Sequence, residues 1–391
     1  MKIVHVVEPL AGGMVTFLRS LVENMPDDFH IIVHGERPKV TPLAEVKKHF
    51  TFRNVKFLKW KSAQRSVSPQ KDFAAFIELY NILKRLKSNN SVDIVHLHCS
   101  KGGFLGRVVC KLLGIEDIVV YTPNGAPFMV GTSKAANFFY KKLERVAALF
   151  GGQVVCCSPS EQKAYKMAGI DSITINNGIQ FDKIARARSK RKTNNVFRIV
   201  TTGRIVDQKN PILFNTIATY FESFPQFEFI WVGDGTERDI LTAKNIHITG
   251  WLKKEGVNEL VTNADVYLST ANFEGLPFSV LEALALKKPV LLTDCVGNKD
   301  LVIKGLNGDV FNTADEAINK VLQFYNNYSM LQVMGEHSGI HCKTSFDSTD
   351  TYKKYRKLYQ KAAFTSKEPT ISLNQLAWNK MKQARFFKVA R

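Results

Sequence analysis

Short apolar runs recur along this chain at intervals filled by helical patterns, and that alternation constrains the fold more than any other feature. In the first half the runs are KIVHVVE, HIIVHG, VKFLKW, DIVHLHC, IVVYTPNG, QVVCCS and ITINNG; in the second they are FRIVTTG, FEFIWVGDG, IHITG, DVYLST and PVLLTD. Between most of them lie stretches of helical periodicity such as FLGRVVCKLLG and KAANFFYKKLERVAALF. Runs of this length, separated by helices, imply parallel strands covered on both faces. The expected class is therefore α/β, with doubly wound sheets. At 391 residues the chain exceeds one ordinary core and suits two domains. The polar, Lys/Arg-dense stretch DKIARARSKRKTNN separates the two rhythms. Residues 1–182 are expected to form one domain, 183–195 a basic linker and 196–345 a second domain. Two such sheets side by side leave a cleft between the carboxyl ends of their strands, where open α/β sheets bind ligands.

The charge narrows the partners without choosing one. Lys and Arg number 54 against 35 Asp and Glu, a net +19, which draws a chain toward nucleic acid, anionic lipid head groups or a phosphorylated substrate. No run of about 18 apolar residues is present to span a bilayer. The opening MKIVHVVE lacks the long apolar region and cleavage site of a signal peptide, so a cytoplasmic location is expected. The six cysteines show no CxxC spacing and read as reduced packing residues.

A dinucleotide site, the first thought for such an architecture, fails on its glycines. Gly12-Gly13, in EPLAGGMVTFL, opens a helix after the first strand but does not make GxGxxG; GDGTER, from Gly233, places Arg238 where the third glycine belongs. Gly12 and Gly13 are still able to bring backbone amides close to a phosphate at a helix N-terminus, or to form only a tight turn. No D-x-D metal motif stands at a strand end, and His96 and His98 alone do not make a metal site; no metal and no cofactor are expected. His96 and His98 share one strand face by the two-residue period, and His98, nearer the carboxyl end, is the better cleft candidate, or else a satisfied core histidine.

The stretch NFEGLPFSVLEALALKKP carries two glutamates. Pro277 suits the first turn of a helix, Glu274 lies in the loop before it, and Glu282 about a turn and a half inside. Amides near Leu276, Phe278 and Ser279 point out of that helix N-terminus, which makes an anion site bracketed by two carboxylates, or else two acids that complement the helix dipole. Upstream, GRIVDQKNPILFNTIATYF is a strand end, a loop with Arg204 and Lys209, and a helix with Asn210 as N-cap and Pro211 at its first position. Two cations at the carboxyl end of a parallel strand are placed to hold a diphosphate.

The pairing of GRIVDQKN with EGLPFSVLE, an E-x7-E element, resembles the retaining family 4 glycosyltransferases of the GT-B fold, two Rossmann-like domains facing across a cleft. WVGDG is similar to that family's V-G-x-G strand end, GNKDLVIKGLNGDVF to its loop before a glycine turn, and IVHLHCSKGGFLGR and YTPNGAPF to members that assemble O-antigen, lipopolysaccharide and capsule. The resemblance implies a metal-independent hexosyltransferase using a nucleotide-sugar donor, UDP-linked in preference to GDP-mannose, and a lipid-linked or polyprenyl-diphosphate-linked saccharide acceptor. Arg204 and Lys209 would neutralise the diphosphate, Glu282 would accept from the ribose diol, and Glu274 would face the donor sugar. Gly233, Gly275, Leu276, Pro277, Phe278 and Ser279 would line the donor pocket, Gly12 and Gly13 would close on the diphosphate, and Trp251 would wall the base or else be an ordinary half-buried side chain. Family members with a TP-H-G pattern carry histidine where this chain has Asn124, so a hydrogen-bonding role is implied there without general-base chemistry. Residues 346–365 would form a helix crossing back to the first domain. The tail, 366–391, mixes Leu, Trp and Phe with Lys and Arg and reads as an interfacial helix on an anionic inner-membrane surface, or as a terminal segment packed on the first domain. Two other classes stay open: a sugar-nucleotide epimerase of the same fold, and a nucleic-acid-binding protein. The latter finds no RRM, KH or zinc-finger pattern, and no nucleic acid partner is expected.

Overall fold

The computed structural model describes residues 1–36, 42–64, 68–129, 133–185 and 196–365, so most of the linker and the whole tail lie outside the described residues. The first sheet holds β1 (Lys2–Val7), β2 (Phe29–His34), β3 (Val55–Lys59), β4 (Ile94–His98), β5 (Val119–Thr122), β6 (Gln153–Cys156) and β7 (Ser172–Thr174). The second holds β8 (Phe197–Thr202), β9 (Phe227–Val232), β10 (Ile246–Ile248), β11 (Val266–Ser269), β12 (Val290–Thr293) and β13 (Gly308–Phe311). Their orders are β3-β2-β1-β4-β5-β6-β7 and β10-β9-β8-β11-β12-β13, with every named pair parallel. Each order reverses beside its first strand, between β1 and β4 and between β8 and β11, which is where doubly wound sheets open a crevice. β13 was not among the sequence-derived strands. Its four residues, GDVF, are too short to carry a period, and only its pairing with β12 defines it.

Helices cover the faces: α1 (Gly13–Asn24), α2 (Leu43–Lys48), α3 (Pro69–Ser88), α4 (Cys99–Leu112), α5 (Lys134–Ala148), α6 (Pro159–Met167) and α7 (Phe181–Ala185) in the first half. The second half adds α8 (Pro211–Tyr220), α9 (Lys254–Asn263), α10 (Phe278–Ala285), α11 (Ala314–Asn326), α12 (Tyr328–Ser345) and α13 (Ser348–Thr365). Ile3, Val4, Val6 and Val7 are all buried, as a central parallel strand requires on both faces. The glycines of SKGGFLG seat α4 on the sheet: a side chain at Gly103 would run into the Tyr121 ring, and one at Gly106 into Leu97. The arginine that follows them is buried as well. Arg107 donates to Glu144 at 2.8 Å and lies over Tyr121 at 4.2 Å, a paired charge inside the core.

α13 returns to the first domain. Tyr352, Tyr355 and Tyr359 are fully buried there, and Arg356 pairs with Asp28 at 3.3 Å. Tyr359 shares a hydrogen bond with His96 at 2.6 Å, and Tyr352 donates to the carbonyl of Phe17 at 3.3 Å.

Candidate functional site

The carboxyl ends of the two sheets meet, and they do so through glycines. Gly12, after β1, has φ 56° and caps α1, leaving the first amides of that helix pointing out of its N-terminus. A methyl group on Gly13 would touch the ring of Phe278 at 3.5 Å, and Phe278 packs against the cores of both domains. Gly275 is tighter still. A methyl group there would lie 2.8 Å from the amide nitrogen of Gly125, 2.9 Å from the carbonyl carbon of Asn124 and 2.7 Å from the sulfur of Cys157. Leu276 is buried beneath this contact, and its carbonyl accepts from Asn177 at 2.9 Å.

On the second domain, the loop after β8 and the loop after β11 bring opposite charges together. Lys209 donates to Glu274 Oε1 at 2.6 Å, with Gln208 on the other oxygen at 3.5 Å. Burial alone would pull the Lys209 ammonium down, but the Glu274 carboxylate outweighs it and the pKa is raised. The Lys209 ammonium is therefore held in its charged form at neutral pH. Exposed Arg204 adds a second positive charge close enough to be felt by Lys209. The loop geometry comes from local chemistry. Asn210 takes φ 50° and its side chain accepts from Leu213 at 3.0 Å, which starts α8 at Pro211. Across it, Asn272 accepts from Asn210 at 3.0 Å and donates to Asp207 at 2.8 Å, tying the two loops together.

α10 starts at Phe278. Pro277 is its N-cap at ψ 121°, one position earlier than the first-turn placement read from the sequence, and the amides of Phe278 and Ser279 stand at the helix's positive end. Glu282, further along, pairs with Lys254 at the start of α9. Lys254 was not among the sequence candidates; no spacing rule joins residues on two helices. Gly233 ends β9 at φ 142° with its backbone against the Gly203 carbonyl, so a side chain there would clash and the glycine is needed for packing. Trp251 is 64% exposed, neither half-buried nor covered by described residues, after a bridge between Gly233 and Gly250.

Two first-domain candidates part company. Asn124, at φ 57° just beyond β5, stands at the contact with Gly275 and donates from Nδ2 to the carbonyl of Thr122 at 3.1 Å. His98 does not face the cleft; it is fully buried and corrects the sequence expectation. The two-residue period set the face of β4 but not what covers it, and that face lies under Phe17 of α1, with ring centroids 5.6 Å apart. There His98 joins a row of imidazoles crossing β4, β1 and β2. His98 Nε2 lies 3.2 Å from His5 Nδ1, His5 Nε2 lies 3.1 Å from His30 Nδ1, and His30 Nε2 lies 3.3 Å from the carbonyl of Met25. The carbonyl accepts only, so His30 donates from Nε2; each ring in turn then donates from Nε2, which leaves His98 Nδ1 a bare acceptor with no partner among the described residues. His5, His96 and His98 each offer one nitrogen within 4.8 Å of the others, a third histidine that sequence spacing did not reveal. His96, however, already bonds Tyr359 and, at 2.8 Å, Thr122.

Buried groups of α6 also escaped the sequence reading. Ser158-Pro159-Ser160-Glu161 is a capping-box pattern that could have marked them. A surface depression of about 510 Å³ between Arg198, Phe224 and His247 lies at the amino ends of β8–β10, away from these loops.

Comparison with known proteins agrees with the geometry. Residues 196–327 match the model described as glycosyl transferases group 1, and residues 11–183 the one described as Glycosyltransferase Family 4. The chain is 28% identical, over 92% of its length and 96% of the relative's, to an Escherichia coli UDP-Gal:alpha-D-GlcNAc-diphosphoundecaprenol alpha-1,3-galactosyltransferase. Among solved structures it resembles sucrose-phosphate synthase from Thermosynechococcus elongatus, with a TM-score of 0.76 at 14% identity, covering 92% of this chain and 99% of that one. It also resembles Anabaena HepE in complex with UDP and glucose, with a TM-score of 0.71 at 16% identity over 92% of this chain and 99% of that one. Two opposed parallel sheets, joined at their carboxyl ends and matched by both family models, make this chain a member of the family 4 glycosyltransferases with the GT-B fold.

Proposed function

We propose that this enzyme transfers a hexose or N-acetylhexosamine from a UDP-sugar to a polyprenyl-diphosphate-linked or other lipid-linked saccharide, with the donor's anomeric configuration retained, in bacterial surface polysaccharide synthesis. The observation that carries the reading is the Lys209–Glu274 pair at 2.6 Å beside Arg204 and the N-terminus of α10. In this reading Arg204, Lys209 and the amides of Phe278 and Ser279 hold the diphosphate and stabilise its charge as it leaves. Gly12 and Gly13 approach it from the first domain. Glu274 faces the sugar ring, whose carbon becomes oxocarbenium-like as the bond breaks. Glu282, paired with Lys254, accepts from the ribose diol. Cations and a helix dipole do the work here, and no metal takes part. The E. coli relative's named donor and acceptor support the substrate classes.

The acceptor would be met at the anionic inner face of the cytoplasmic membrane. Among the described residues no helix is long and apolar enough to cross a membrane. α5 and its C-cap instead expose Phe138, Phe139 and Leu149 among exposed Lys134, Lys142 and Arg145, a mixture that suits a peripheral site on anionic lipid.

The test begins with melting-temperature shifts for a panel of nucleotide sugars, since a true donor stabilises the fold by mass action. The donor found is then incubated with a synthetic polyprenyl-diphosphate N-acetylglucosamine and the product read by NMR. A glycosidic product of unchanged anomeric configuration is expected. An inverted product overturns retention, free 2-epimer without acceptor favours an epimerase, and no turnover of any nucleotide sugar overturns the reading as a whole.

A further inference from the structure

The geometry points to Glu161 as a positioning residue that holds the Asn124–Gly125 turn against Gly275, and through it sets the first domain's side of the reaction site. Glu161 belongs to α6 and is fully buried. Its backbone amide is taken by Ser158 Oγ at 3.2 Å, which is half of a capping box. In the ordinary box the third residue's carboxylate turns back on the N-cap amide. Here it passes that amide by. Oε2 accepts from the amide of Cys157 at 2.8 Å and from its thiol at 3.2 Å, while Oε1 crosses to the end of β5 and accepts from the amide of Gly125 at 2.8 Å.

Three buried donors converge on this side chain, so the carboxylate form satisfies them all. Burial pushes its pKa up, and the bonds from Cys157 and Gly125 oppose that push. A glutamine of the same shape would turn an NH2 group toward at least one N–H and leave a buried donor unpaired, the costly half of hydrogen-bond bookkeeping.

The turn needs such a hold because its conformation is uncommon. Asn124 sits at φ 57° and Gly125 at φ 103°. Among the described residues two side-chain hydrogen bonds fix it: Gly125 to Glu161, and the return of Asn124 Nδ2 to Thr122. Gly275, next to Glu274, seats directly on this turn. The neighbouring residue fastens the same helix start to the second domain. Ser160 accepts from the amide of Gly297 at 2.9 Å and donates to Asp300 from both its amide, at 3.2 Å, and its hydroxyl. Losing the hold at Glu161 would therefore let Asn124 move relative to Glu274, and displacements of about 1 Å at a reacting centre cost on the order of a hundredfold in rate.

This inference rests on the proposed transferase function, and the experiment separates the two. Glu161→Gln and Glu161→Asp are compared with wild type by amide hydrogen exchange of the Gly125 region, by binding of UDP alone, and by transfer kinetics. Aspartate keeps the charge and can reach Cys157, but it is one methylene short of Gly125. Both variants are expected to lose protection at Gly125 and lower kcat by on the order of a hundredfold, with UDP affinity and donor KM near wild type, because Glu161 bonds none of the residues assigned to the nucleotide, Gly12 and Gly13 included. Wild-type protection and kcat in either variant would overturn the positioning role; so would a parallel loss of UDP affinity, which marks general loosening. If wild type transfers no sugar, the proposed function fails while the exchange measurement still decides whether Glu161 holds the turn.

Discussion

At Glu274 and Glu282 two carboxylates of one short segment are set in unlike surroundings, and that difference predicts separate kinetic effects. Glu274 is buried and paired with half-buried Lys209, whereas Glu282 and Lys254 keep more of their surface in water. Glu274→Gln should mainly lower kcat, since its charge is needed as the sugar becomes cationic. Glu282→Gln should mainly raise KM for donor, by the roughly 1.5–3 kcal/mol of a lost charge-assisted hydrogen bond. Steady-state kinetics with varied donor checks both, and near-wild-type activity in both variants would reduce the acids to helix-dipole partners. Glu274→Gln also leaves the Lys209 charge without its partner, so a lower melting temperature is expected there, whereas the more exposed Glu282 pair contributes little to stability. Both glutamates, with Arg204 and Lys209, were legible in sequence because each lies within a few residues of a strand end or helix start, where spacing alone fixes direction. Glu161 was not read from it. Its capping-box signature is local, but its partner Gly125 is 36 residues away and no period links them.

The strands of the first sheet carry a feature that no single residue shows. His30, His5 and His98 share one face of β2, β1 and β4, aligned by the parallel register that sets His5 opposite His96 and Val7 opposite His98. Burial lowers the pKa of His30 to about 4 and that of His98 to about 3, with His5 and His96 also held well below the usual value. The sign follows directly. The folded state keeps these rings neutral while the unfolded chain binds protons below about pH 6.5, so stability is complete above that pH and falls as pH drops toward 4. His30 alone should account for about 3 kcal/mol of the loss by pH 4. Denaturant unfolding at stepped pH should show the decline, and His30→Gln should make it shallower; an unchanged slope in that variant would refute the assignment. Alternating apolar runs and helical stretches revealed the α/β class and twelve strands because parallel strands buried on both faces must be apolar. It hid the histidine row because a register between strands is a tertiary fact, and for the same reason it hid β13, whose GDVF carries no pattern of its own.

Across the whole molecule, the two sheets touch through small residues at their carboxyl ends and are joined again where α13 crosses. Ile179 bridges to Asp347, and Thr351 donates to the carbonyl of Asn176 at 3.1 Å, which places a joint beside the crossing. If donor is gripped by Gly12 and Gly13 on one side and Arg204 on the other, closure is a hinge motion about that joint. Saturating donor should then shrink the radius of gyration in small-angle scattering; identical profiles with and without donor would count against closure. The crossing also sets an order of events during synthesis. Tyr352, Tyr355 and Tyr359 complete the interior of the first domain and cover His96 and Thr122, yet they are translated after the entire second domain. At about 5–20 residues per second, the ribosome makes β1 to β7 and then works for roughly ten seconds or longer before α13 emerges. Throughout that interval the earliest-made half of the enzyme waits with a wet polar seam where its lid of tyrosines will lie, so the nascent chain reaches its finished packing from the far end backward.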